Sequence, residues 1–252
     1  LGLNKDVWQW QVAELSQHHR VVSYDLFGHG KSQAPPETPS LKLFADQTQM
    51  LMDYLGIEKA IIIGFSLGGM IARRLAQDAP HRINGWVILH SPHQRSAAAQ
   101  RAILDRVAHA RAQGSAATVE AALERWFTAL FRHKNPDLMD LVRSWVLDNK
   151  QEIYHTIYRV LATGIDEITS PTPAITCPTL IITGDEDFGN GPDMARAIAN
   201  DISDAEVHIL TGLRHMALAE NPMAVTLPIL RFLSAHLRTP ETGQRTQGNP
   251  HD

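Results

Sequence analysis

The chain has 252 residues, 44% of them hydrophobic and 20% charged, which is enough material for one large globular α/β unit with an insertion and requires no second one. Its 23 Lys and Arg against 27 Asp and Glu leave a net charge of −4, so there is no electrostatic case for a nucleic acid or an anionic membrane surface, and small-molecule chemistry is the expectation. The single cysteine, Cys177, excludes an internal disulfide and any cysteine cluster for zinc or iron–sulfur.

No apolar run reaches the roughly 18 residues of a membrane span, and no signal-like segment opens the sequence. The single cysteine makes the cytoplasm the expected compartment. Spacing of Val7, Trp8, Val12 and Leu15 predicts a helix over 4–17 with Asn4 as its N-cap. A short buried strand is predicted over 20–25, ending in the glycine-rich turn Asp25-Leu26-Phe27-Gly28-His29-Gly30-Lys31-Ser32. Pro35, Pro36 and Pro39 mark a loop, and the apolar spacing over 41–55 suits a helix packed on a sheet.

Next comes Ala60-Ile61-Ile62-Ile63-Gly64-Phe65-Ser66-Leu67-Gly68-Gly69, an apolar run of strand length leading to a glycine-bracketed serine. The G-x-S-x-G spacing has a steric meaning: a sharp strand-to-helix turn holds the serine in a strained conformation, and larger neighbours would clash. The helix after it should end near Pro80, and 85–89 reads as another strand. Three strand–helix alternations before residue 92 predict a mostly parallel sheet with helices on both faces. Ligands of such sheets bind beyond the carboxyl ends of the strands, where Asp25, Ser66 and His90 would emerge.

Over 92–172 the rhythm changes to three or four helices, with breaks near Gly114, Asn135-Pro136, Asn149 and Gly164. This is expected to be a helical cap inserted between core segments 1–91 and 173–238. Trp126 and Phe127, with Tyr154, are the candidates for an apolar face turned to a substrate. The cap holds ten Lys and Arg against nine Asp and Glu, the remainder 13 against 18. A slightly basic lid over an acidic body suits a carboxylate-bearing substrate, with Arg125 or Arg159 as anchor. Strand rhythm resumes over 178–184, then come the acidic loop Asp185-Glu186-Asp187, a helix over 192–200, a strand over 206–210 and a last helix over 222–237. The polar stretch 239–252 is expected to be disordered.

A serine hydroxyl needs a base within hydrogen-bond reach, and the base needs an orienting acid. Asp185, Glu186 and Asp187 are candidate acids on the sheet edge that carries Ser66. Of thirteen histidines, His215 alone comes after that loop in a turn between a strand and the final helix, whereas His29, His90 and His93 precede the acid.

These motifs together resemble the α/β-hydrolase fold family in its capped form: Asp25-x-x-Gly28-His29-Gly30-x-Ser32, Gly64-x-Ser66-x-Gly68-Gly69, Gly184-x-x-Asp187, and His215 with Glu220-x-Pro222 after it. The resemblance selects Asp187 as the acid and His215 as the base, and it gives the Asp25–His29 turn a structural role. The cap segment Glu124-Arg125-Trp126-Phe127-Thr128-Ala129-Leu130-Phe131 and Asn135-Pro136 resemble the 3-oxoadipate enol-lactonase and carboxylesterase branch. The implied activity is hydrolysis of an ester or lactone through an acyl-enzyme, with no metal or organic cofactor. C–C hydrolysis of ring-fission products, or ligand binding without turnover, are the alternatives. Ser66 argues against dehalogenases and epoxide hydrolases, which carry aspartate there.

The stretch Leu1-Gly2-Leu3-Asn4-Lys5-Asp6-Val7-Trp8 resembles the segment just past a His-Gly pair in the family, where the backbone N–H next to that pair forms half of an oxyanion hole. The resemblance thus implies Leu1 and Leu67 as the two backbone donors. It also implies that three N-terminal strands are missing, the third from inside the sheet, so that these residues alone are expected to fold poorly and to be inactive.

Overall fold

In the computed structural model, residues 1–171 and 174–237 are described; the stretch expected to be disordered, 239–252, lies outside the described residues. A 3-10 turn, Lys5–Trp8, begins at Asn4, whose side chain accepts from the Asp6 N–H, and leads into α1 (Gln9–Leu15). The next helix, α2 (Leu41–Tyr54), starts at Ser40, whose hydroxyl accepts from the Leu43 N–H. Then β1 (Ala60–Phe65) runs into α3 (Leu67–Asp78) with only Ser66 between them, and β2 (Ile83–Leu89) comes next.

Five helices fill the interval to the next strand: α4 (Ala97–Gln113), α5 (Ala116–Trp126), α6 (Ala129–Lys134), α7 (Pro136–Leu147) and α8 (Gln151–Thr163). The expected breaks at Gly114, Asn135, Asn149 and Gly164 are present, with one more at Phe127. There the backbone turns extended, with φ −122° and ψ 147°, and Thr128 caps the short α6 by accepting from the Phe131 N–H. The chain closes with β3 (Thr179–Gly184), α9 (Pro192–Asn200), β4 (Ala205–Leu210), α10 (Ala217–Glu220) and α11 (Pro222–His236).

The four strands form one parallel sheet in the order β1-β2-β3-β4. Its buried faces are near-continuous aliphatic runs, as a sheet covered by helices on both sides requires. One face packs Val87, Leu89, Leu180 and Ile182 with α11 residues Val225 and Ile229, and the other packs Ile88 and Ile181 with Leu75 and Ile198. Parallel pairing brings the carboxyl ends of β1, β2 and β3 to one edge, and with them the loops that begin at Ser66, His90 and Asp185.

The strand expected over 20–25 does not form: these residues enter no sheet. Strand stability lies in its ladder, and a cavity of about 860 Å³ separates Arg20, Val21, Ser23 and Tyr24 from the outer edge of β1. Side chains hold the segment instead. Tyr24 shares a 2.6 Å hydrogen bond with Thr48 on α2, and the Asp25 carboxylate accepts from the Lys5 and Lys31 N–H groups at 2.6 and 2.9 Å.

Arg73 on α3, 1% exposed, ties the insertion to the core. Its guanidinium donates to the Pro92 carbonyl at 2.9 Å and the Ile168 carbonyl at 3.0 Å, one on each side of the five helices. Among the described residues, no helix is long and apolar enough to cross a membrane.

Candidate active site

Gly64 and Gly69 explain how Ser66 reaches the sheet edge. A Cβ on Gly64 would lie 2.3 Å from the Gly68 carbonyl oxygen, and one on Gly69 would lie 2.6 Å from the Ser91 side chain. Only hydrogens fit at either place. Ser66 itself takes φ 54° and ψ −112°, a conformation that L residues avoid, held by its N–H donating to Leu89 O at 2.8 Å. Its successor Leu67 opens α3, so the Leu67 N–H has no intrahelical acceptor and points with the helix's positive end toward the turn.

Asp187 sits in a tight loop after β3, and His215 in the turn after β4. Asp187 Oδ2 accepts from His215 Nδ1 at 2.7 Å, and both residues are buried, 6% and 7% exposed. Asp187 Oδ1 accepts from the N–H groups of Gly189 and Asn190 at 3.1 and 3.0 Å. Burial alone would raise the Asp187 pKa, but the two histidines on Oδ2 outweigh it and hold the carboxyl well below the usual carboxylate range.

Ser66, Asp187 and His215 line one cavity of about 110 Å³, together with Leu1, Trp126 and Tyr154. Ser66 Oγ and the His215 ring face it with no hydrogen bond closed between them among the described residues, as is common before substrate binds. Trp126 stacks over His215 with ring centroids 6.1 Å apart. Flanking bonds fix that stack: the Met216 N–H donates to Trp126 O at 2.9 Å, and Arg214 donates to the carbonyls of Glu124 and Phe127 at 2.9 and 3.1 Å.

Phe127, expected beside Trp126 at the pocket, is not there. It is 0% exposed and packs with Val119, Leu123, Met139 and Val142 inside the helical insertion, its ring stacked on Phe131. The helix ends between the two residues, so their side chains point to opposite sides. Arg125 lines the cavity, whereas Arg159 is exposed on α8 and does not. Arg95 and Arg106, not singled out by the sequence, line it as well. Burial, and then repulsion from Arg106, lowers Arg95 to about 10 and lowers Arg125 in the same direction; both stay cationic.

The Asp25–His29 turn lies outside the polar end of the cavity and holds residues 1–5. His29 Nε2 accepts from the Gly2 N–H at 3.0 Å, Asp25 accepts from Lys5, and Asn149 donates to the Gly2 carbonyl at 2.9 Å. Leu1 is thereby carried to the cavity wall.

His90, from the end of β2, reaches Asp187 Oδ2 as well, at 2.9 Å. The ligand-type atoms of His90, Asp187 and His215 lie within 4.8 Å of one another. N···O separations of 2.7 and 2.9 Å to one oxygen are those of hydrogen bonds, since ligands about 2.0–2.1 Å from a tetrahedral zinc stand about 3.3 Å apart.

A family model for the α/β hydrolase fold matches residues 1–222. The chain belongs to the α/β hydrolase fold family. Among curated relatives, this α/β hydrolase is 27% identical to an (E)-2-((N-methylformamido)methylene)succinate hydrolase of Acinetobacter baylyi, over 92% of this chain and 87% of that one. It is 32% identical to 3-oxoadipate enol-lactonase 1 of the same species, over 74% and 68%. Among solved structures it superposes on the enol-lactonase of Burkholderia xenovorans with a TM-score of 0.86 and 29% identity, covering 93% and 88%. The expected resemblance to the enol-lactonase branch is thus found in both sequence and fold.

Proposed function

We propose that this α/β hydrolase opens an ester or lactone of a small, carboxylate-bearing molecule through an acyl-enzyme on Ser66. The observation that carries the reading is the 2.7 Å contact between Asp187 and His215 in the wall of a cavity that Ser66 also lines. His215 Nε2, the ring nitrogen left free by that contact, takes the Ser66 proton as Oγ attacks the carbonyl, and returns it to the leaving oxygen. Asp187 keeps the ring in one tautomer and stabilises the imidazolium. The Leu67 N–H and the Leu1 backbone receive the charge on the tetrahedral oxygen, each such donor worth about 3 kcal/mol of barrier. Water activated by His215 then releases the acid.

The anionic character of the substrate rests on Arg95, Arg106 and Arg125. All three line the cavity, and among the described residues none has a carboxylate within 4.0 Å. Arg95 is occupied by the Leu161 and Ala162 carbonyls, and Arg106 Nε by the Tyr158 hydroxyl. Arg125 and the outer nitrogens of Arg106 are free for a substrate carboxylate, which guanidinium binds in bidentate fashion. The names of two relatives point the same way, one to a succinate derivative and one to a 3-oxoadipate enol-lactone.

Intact mass after exposure to a small fluorophosphonate tests the serine. A single adduct that Ser66→Ala abolishes is the expected result. A folded protein that takes no adduct overturns the reading, and an adduct that survives in Ser66→Ala places the nucleophile elsewhere.

A further inference from the structure

The catalytic reading leaves His90, at the site edge, unused. It is 0% exposed and sits at φ 48°, a left-handed conformation unusual for a residue with a side chain. Its backbone is pinned on both sides: the N–H donates to Ile182 O at 2.8 Å, and its carbonyl accepts from Asn190 Nδ2 at 2.9 Å. The strained turn aims the ring across β3, at the same carboxylate oxygen that holds His215.

The hydrogen-bond pattern assigns the proton. An ionised Asp187 only accepts, so the 2.9 Å contact requires His90 Nδ1 to donate. The other neighbour, Thr183 Oγ1 at 3.4 Å, gives its own proton to Asn190 O at 2.6 Å and cannot supply one to the ring. Burial lowers the His90 pKa against the opposing pull of Asp187, so the ring is neutral. Its Nε2 is then a bare nitrogen with no partner among the described residues. A ring kept neutral, with one nitrogen orphaned and the backbone strained, costs stability that no packing role requires. A leucine would fill the same space without the orphaned nitrogen, under the same backbone strain.

We propose that His90 is a positioning residue for the base: its Nδ1–H is the second donor on Asp187 Oδ2, and it fixes the rotation of the carboxylate on which the direction of the His215 ring depends. With Gly189 and Asn190 on Oδ1, and His90 and His215 on Oδ2, all four approaches to the carboxylate are filled. Remove His90, and one side of Oδ2 is unbound. The carboxylate can then rotate, and His215 Nε2 loses its fixed aim at Ser66. Phe65 makes ring contact with both histidines, whose own rings meet edge to face with centroids 5.6 Å apart.

The inference rests on the reading of Ser66, Asp187 and His215 as the catalytic set, and fluorophosphonate labelling of the unaltered protein tests that reading separately. Two variants test His90. His90→Leu removes the donor and is expected to lower kcat on the order of tenfold or more with KM nearly unchanged. His90→Asn places an amide N–H close to the position of Nδ1 and is expected to restore kcat to within about threefold of the parent. If the parent takes the label and His90→Leu turns over at the parent's rate, His90 has no such role. If both variants lose activity equally while melting at the parent's temperature, the donor is not what matters, and the proposal fails. Nitrogen chemical shifts of histidine-labelled parent protein give a readout independent of either variant's folding. The expected spectrum shows His90 as the Nδ1–H tautomer, with its proton far downfield beside that of His215. An Nε2–H tautomer overturns the proposal.

Discussion

The imidazole of His29 accepts a hydrogen bond from the Gly2 N–H at 3.0 Å while 3% exposed, so it must be neutral to do its work. Burial lowers its pKa to about 4 from 6.5. Between those values the unfolded chain binds a proton that the native state refuses, so stability rises with pH there and is lost as pH falls from about 6.5 toward 4. Between pH 7 and pH 5, His29 alone should remove about 2 kcal/mol of stability. His90, buried and lowered in the same direction, adds to the slope. Urea midpoints at the two pH values measure it, and equal midpoints would show that the Gly2 contact tolerates a charged ring.

The free guanidinium of Arg125 should matter only to anionic substrates. Arg125→Gln is expected to raise KM for a carboxylate-bearing ester roughly tenfold or more, and to leave the neutral isostere within about twofold. Arg159→Gln, altering an exposed arginine outside the cavity, is the control and should change neither. A uniform loss on both substrates in Arg125→Gln would mean damage to the pocket rather than loss of an anion contact.

Trp126 and Phe127, adjacent in sequence, should separate in their effects. Phe127→Ala opens a cavity in the packed insertion and is expected to cost about 3–5 kcal/mol of stability. Trp126→Ala should cost less than half of that and instead lower kcat/KM roughly tenfold, because Trp126 covers His215. Denaturant melts and steady-state kinetics on both variants check the pair, and matching losses of stability would put Trp126 in the core as well.

Much of the fold and the site is readable because it depends on local sequence. The turn at Ser66 is written in Gly64 and Gly69, whereas Gly68, expected to be sterically required, has open space where a Cβ would stand; the pieces of the sheet are written in runs such as Ile61-Ile62-Ile63. His215 is legible because it follows a strand whose carboxyl end is already oriented by the parallel pattern; the same pattern narrows the acid to Asp185, Glu186 or Asp187, and the family resemblance selects Asp187. The segment 20–25 has the composition of a strand, but strand formation needs a partner at ladder distance, which no local pattern reports. Phe127 departs from its expected place because the end of α5 falls between it and Trp126, and the sequence shows no break there except Thr128, a plain N-cap residue. The contact of His90 with Asp187 joins residues 97 positions apart and depends on a left-handed backbone at a non-glycine residue, which sequence patterns do not signal.

The guanidinium of Arg73 holds both ends of the helical insertion to one point of α3. Parting the Pro92 and Ile168 carbonyls would take both hydrogen bonds from a cation that is 1% exposed and leave it only the Asp201 carboxylate at 3.9 Å among the described residues, a costly change for a buried charge. Beside Trp126 the insertion is held again, by Arg214 on the carbonyls of Glu124 and Phe127 and by the Met216 N–H on Trp126 O. The helical insertion is therefore bonded to the core both at its Arg73 end and beside Trp126.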